Sequence, residues 1–136
     1  MKSDLRVQEV GHTISAPLTF KNINKAYLWY THIFGAKENV RFADSDHRIN
    51  YAELWIGDTM LFLTPREAGD HLPLLADENQ KEKWLHIYVS NVDDIIDQAV
   101  ETGAFLAEPP KDYPNGERCG AIIDPFGYHW VLAMHI

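Results

Sequence analysis

The sequence predicts an α+β fold built from two βαβββ modules, and three observations carry that prediction. Two helical patterns with matching end signals recur in the chain, a strand-like segment precedes each, and segments alternating apolar and polar residues follow each. A length of 136 residues fits one domain, 1–136, with a sizeable core. The repeat divides it into a first module at about 10–65, a polar connection at 66–83 rich in Glu, Asp and Lys with room for a short helix, and a second module at about 84–136.

The first helix opens at Asn22, whose short polar side chain suits a cap, and runs through Ile23, Ala26, Tyr27, Tyr30, Ile33 and Phe34 to Gly35. The second opens at Asn91 and runs through Val92, Ile95, Ile96, Ala99 and Val100 to Gly103; Asp93 and Asp94 stand in its first turn, where the helix dipole favours anions. Strands are expected at 13–20, 51–56, 59–64, 84–89, 121–123 and 128–135. Gly57-Asp58 joins two of them as a tight hairpin, and Asp124-Pro125-Phe126-Gly127 turns another pair.

A formal charge of −8 without clustered Lys and Arg argues against a nucleic-acid or anionic-membrane surface. No apolar run approaches a spanning helix, the first residues lack a signal-peptide stretch, and the lone Cys119 cannot form an intrachain disulfide. A cytoplasmic protein is expected, with Cys119 a packing residue.

Side chains alternate across a strand, so each strand splits into two faces. One set is wholly apolar and should pack beneath the helices: Ile14, Ala16, Leu18, Ala52, Leu54, Ile56, Leu61, Leu63, Leu85, Ile87, Val89, Trp130, Leu132 and Met134. The opposite set holds Thr13, Ser15, Pro17, Tyr51, Glu53, Trp55, Met60, Phe62, Thr64, Trp84, His86, Tyr88, His129, Val131, Ala133 and His135. A merely solvated face would carry Lys, Glu, Thr and Ser. Rings with a few polar groups suit a small-molecule site, or packing against the other module or a second subunit.

Beyond the repeat, Tyr113-Pro114-x-Gly116-x-Arg118-x-Gly120 and the ending Asp124-Pro125-Phe126-Gly127-Tyr128-His129-Trp130-Val131-Leu132-Ala133-Met134-His135 resemble the vicinal-oxygen-chelate (glyoxalase/bleomycin-resistance/dioxygenase) superfamily, in its PhnB-type branch. Phe34-Gly35-Ala36 and Ala52-Glu53-Leu54-x-Ile56-Gly57-Asp58 extend the likeness over nearly the whole chain. The resemblance implies a curled mixed sheet around a central cup and a homodimer. It leaves the reaction open, since the superfamily holds lyases, dioxygenases, epimerases and binding proteins.

Metal-using members place ligands on the first and last strands of each module. Carried over by strand register, those positions fall at Ser15, Phe62, Trp84 and Val131, which offer one hydroxyl between them. No metal residues and no cofactor are therefore expected. A divalent metal displaced onto Glu53, His86 and His129 or His135 stays open.

The expected function is binding of a small molecule, aromatic or cationic in character, with Tyr51, Glu53, Trp55, Phe62, Trp84, His86, Tyr88 and His129 as ligand-binding residues. The alternative is a lyase, isomerase or dioxygenase-like enzyme that uses the displaced metal or takes Glu53 and His86 as catalytic base and acid, Glu53 having a pKa raised by its apolar neighbours. His12, His32, His47 and His71 are read as solvated.

Overall fold

The computed structural model describes residues 15–66 and 84–136. The expected strand positions Thr13 and Ile14, together with His12, His71 and most of the connection, lie outside the described residues. The first of two compact units contains β1 (Ser15–Phe20), α1 (Ile23–Phe34), β2 (Lys37–Ala43), β3 (Ile49–Ile56) and β4 (Thr59–Pro65). The second contains β5 (Trp84–Tyr88), α2 (Val92–Glu101), β6 (Phe105–Asp112), β7 (Glu117–Ile123) and β8 (His129–His135). Each βαβββ unit forms a four-stranded mixed sheet, β1-β4-β3-β2 in one and β5-β8-β7-β6 in the other, so the fold is α+β.

Both helices start where their caps predict, and α1 also stops at its glycine, whereas α2 ends at Glu101 with Thr102 rather than Gly103 as its C-cap. The Asn22 side chain accepts the Lys25 N–H at 3.1 Å, and Gly35 ends α1 in left-handed backbone at φ 67°. Asn91 repeats the cap on the Asp94 N–H at 3.1 Å. Along α1, Trp29 is buried while Tyr27, assigned to the apolar stripe, is half-buried and donates to Glu38 Oε1 at 2.8 Å. Tyr30, Phe20, Trp29 and Phe34 make edge and stacked ring contacts under that helix.

The split of strand faces is largely as expected: Leu18, Ala52, Leu54, Leu61, Leu63, Ile87, Trp130 and Leu132 are all buried. Ala16, Ile56, Leu85 and Met134, assigned to the same set, are only half-buried near strand ends. Conversely, Met60, Thr64 and Ala133 are buried on the other face. Thr64 donates its hydroxyl to the Leu18 carbonyl, and Ala133 is small and lies in register between Tyr88 and Cys119.

The sequence reading did not locate β2 and β6, each an outer strand of its sheet. Nearly every residue of β2 is exposed, and β6 contains Pro109 and Pro110 with two register shifts, so neither alternates cleanly. The Asp-Pro-Phe-Gly turn has a simple physical basis. Asp124, 3% exposed, accepts from the Phe126 N–H, the Tyr128 N–H and Trp130 Nε1 at 2.9, 3.0 and 2.9 Å.

Close packing fixes Gly120: a Cβ there would collide with Ile96 Cδ1 and lie 3.3 Å from the Glu108 carbonyl oxygen. Its neighbour Arg118 donates to both oxygens of Asp93 and to Asp112, tying the start of α2 to β7 and β6. The spaced Arg118-x-Gly120 pair thus belongs to the architecture.

Candidate functional site

On the first sheet, the face away from α1 carries Tyr51, Glu53, Trp55 and Phe62, all half-buried. Glu53 is held at both oxygens: the Tyr51 hydroxyl donates to Oε2 at 2.5 Å and Asn39 Nδ2 to Oε1 at 2.8 Å. Trp55 Nε1 in turn donates to Asn39 Oδ1 at 3.3 Å. Phe42 stacks on Tyr51 at 5.9 Å between centroids, and Phe62 flanks Tyr51 at 6.4 Å. Burial, and then the hydrogen bond to Glu53, raise the Tyr51 pKa far above the usual phenol range, so this hydroxyl is a firm donor at neutral pH.

Asn39 was not among the sequence-derived candidates. It lies on edge strand β2 at a register shift between Glu38 and Val40, which gives the strand an extra residue opposite β3. That bulge aims the amide at Glu53 and Trp55. The resulting carboxylate is fixed by two neutral donors among rings, without a cationic partner among the described residues.

The second sheet carries Trp84, His86, Tyr88, His129 and His135 on the face away from α2. Trp84 meets His129 edge-on at 4.7 Å, and His86 and Tyr88 stack at 5.1 Å. Tyr88 also stacks on His135 at 5.3 Å and donates its hydroxyl to Glu117 Oε2 at 2.8 Å. Trp84 and Tyr88 are 49% and 57% exposed, so both side chains are open to solvent within this unit. Burial, then the nearby Glu117 carboxylate, push the Cys119 thiol pKa up, which disfavours a nucleophilic thiolate. Glu117 was missed because β7 begins at that residue, four positions earlier than the expected strand.

The four positions at which metal-using relatives place ligands do not fit an ion. In the first unit Ser15 pairs with Met60 and Phe62 with Pro17; in the second Trp84 pairs with His129 and Val131 with His86. A phenyl, an indole ring carbon face and an isopropyl group have no lone pair to give. Among the described residues no group of three or more His, Cys, Asp or Glu is arranged to hold a metal. Glu53 is engaged by Tyr51 and Asn39, and His86 by the ring of Tyr88. A separate groove of about 540 Å³ at the start of α1, lined in part by Lys21, His47 and Arg48, includes none of the predicted site residues. No helix among the described residues is long and apolar enough to cross a membrane.

Comparison with known proteins agrees with the geometry. The family model described as Glyoxalase/Bleomycin resistance protein/Dioxygenase superfamily matches residues 9–132. An uncharacterized protein of Mycobacterium tuberculosis is 25% identical, over 99% of this chain and 81% of the relative. Among solved structures, TioX from Micromonospora sp. ML1 superposes with a TM-score of 0.73 at 22% identity, covering 92% of this chain and 98% of that one. Lactoylglutathione lyase from Agrobacterium tumefaciens superposes with a TM-score of 0.63 at 14% identity, over 89% and 91% of the two chains. At such identities these two structures bear on the fold alone.

Proposed function

Since the chain belongs to the Glyoxalase/Bleomycin resistance protein/Dioxygenase superfamily, we propose that it is a small-molecule-binding protein that works without a divalent metal. The superfamily generally binds small molecules and often forms dimers. The observation that carries the reading is the preset polar network of Tyr51, Glu53, Asn39 and Trp55 among aromatic walls. A ligand site needs apolar surface with a few oriented polar groups, and here the polar groups are fixed by one another. In the second unit, taken by itself, Trp84, His86, Tyr88 and His129 form a ring cluster that suits an aromatic or cationic guest. The Tyr113 to Gly120 and Asp124 to His135 segments favour the PhnB-type branch, and the lone cysteine favours the cytoplasm. We place the protein there as a homodimer, because the exposed outer strands β2 and β6 invite cover.

An acid–base enzyme using Glu53 and His86 draws no support from their contacts, which hold Glu53 as an acceptor and His86 as a stacking partner. The test is a titration of benzamidine and its neutral analogue benzamide, followed by tryptophan fluorescence and thermal melting. Quenching and a raised Tm are expected in the wild type through linkage. Trp84→Ala should lose the quenching with modest loss of stability. Ile87→Ala, buried on the helix side, should cost about 2–5 kcal/mol while the folded fraction still binds. No response to either compound at millimolar concentration would overturn the reading.

A further inference from the structure

The second sheet presents a carboxylate that the aromatic walls alone leave unused. Glu117 pairs in register with His135. Its side chain is only 12% exposed; Oε2 accepts the Tyr88 hydroxyl at 2.8 Å and lies 3.7 Å from His135 Nδ1. Oε1 faces Cys119 Sγ at 3.9 Å. The backbone around it is tied down, since the Tyr113 N–H donates to the Glu117 carbonyl at 2.8 Å and the Glu117 N–H donates to Asn115 Oδ1 at 3.1 Å.

The adjacent cation does not neutralise this group. Arg118 projects to the opposite side of its strand, where Asp93 and Asp112 take its guanidinium. Among the described residues no Lys or Arg pairs with Glu117, and its contacts are a phenol, a thiol and an imidazole, none of them a permanent cation. A carboxylate shielded from water without a permanent counter-charge gains most from a partner that brings one. Beside it the His86, Tyr88 and His135 rings stack in a row, at 5.1 and 5.3 Å between neighbours, and ring faces also attract cations.

We propose that Glu117, together with Tyr88 and His135, anchors the cationic end of an organic ligand: a protonated amine, amidine or guanidine carried on an aromatic or apolar body. This rests on the small-molecule-binding reading and adds to it the charge of the guest and the residue that selects it. The carboxylate forms the charge-assisted hydrogen bond, the row of rings receives the apolar body, and the Tyr88 hydroxyl keeps the carboxylate oriented until the guest arrives.

The test compares calorimetric affinities of benzamidine and benzamide for the full chain and three variants. Wild type should bind benzamidine about tenfold or more tightly than benzamide, the scale of one charge-assisted contact. Glu117→Gln should erase that preference, whereas Tyr88→Phe, which keeps the charge, should retain it. His135→Lys changes a side chain 79% exposed, so folding is spared, and sets a permanent ammonium beside the carboxylate; it should abolish the preference as well. Equal affinities in wild type, or a preference that survives both Glu117→Gln and His135→Lys, would remove the anchor while leaving aromatic binding intact. Binding of neither compound would instead bring down the small-molecule reading beneath it.

Discussion

Removal of the Asp124 carboxylate should destabilise the second unit severely, by a loss that can be worked out donor by donor. Asp124→Ala strands the Phe126 and Tyr128 N–H groups and the Trp130 indole N–H, which now donate to it at 2.9, 3.0 and 2.9 Å. A buried donor left without an acceptor costs about 1–3 kcal/mol. Phe126 is half-buried and its N–H can turn to water, so the three together come to about 3–5 kcal/mol. Against a usual total of about 5–15 kcal/mol, that is a large share.

Asp124→Asn is gentler and more informative. Its carbonyl oxygen can still serve the two backbone donors that share Oδ1, but its NH₂ then faces the Trp130 N–H, donor against donor. The cost should be about 1–3 kcal/mol. In a Trp130→Phe background that clash is absent, so urea denaturation of the double-mutant cycle should show a coupling of about 0.5–3 kcal/mol. A loss below about 1 kcal/mol in Asp124→Ala, or strict additivity in the cycle, would refute this account of the turn.

Gly120→Ala should lower stability by about 1–3 kcal/mol in urea melts, because the added methyl meets buried Ile96 as well as the backbone of β6; a neutral effect would mean that α2 stands off β7. Tyr51 should ionise well above pH 10 in a spectrophotometric titration, and Glu53→Gln should bring its pKa part of the way back, since burial outweighs the hydrogen bond. The sign for stability follows from a folded pKa above the unfolded value of 10.0: the Tyr51 contribution is complete below that pH and is lost as pH rises through the folded pKa. A Tyr51 that titrates at the ordinary phenol value would place its hydroxyl away from Glu53.

The helices and the packed faces were legible because their signals are local. Asn22 and Asn91 cap, Gly35 stops, and Leu54 and Leu63 alternate with polar or aromatic neighbours. Strands β2 and β6 were not, since nearly every residue of β2 is exposed and shows no apolar face, and the prolines of β6 read as breakers. That omission hid part of the candidate site. Asn39 reaches Glu53 only through a β2 bulge, a feature with no sequence signature in Lys37–Ala43. Glu117 was within reach: carrying the alternation of β7 back from Ala121 through Cys119 puts it on the aromatic face. Which donors hold Glu53 was not legible either. Shared face and residue type say nothing of which nearby donor wins, and Tyr51, two residues along the same strand, is already in place.

The most direct test of metal-independent binding is calorimetric titration of benzamidine into the wild-type chain before and after exhaustive stripping with EDTA, followed by addition of zinc. Ser15, Phe62, Trp84 and Val131 give an ion almost nothing to bind, while the rings and the fixed carboxylates need none. The expected result is one dissociation constant under all three conditions. Binding that vanishes on stripping and returns with zinc would contradict it, and would assign the ligand to a metal held by other side chains.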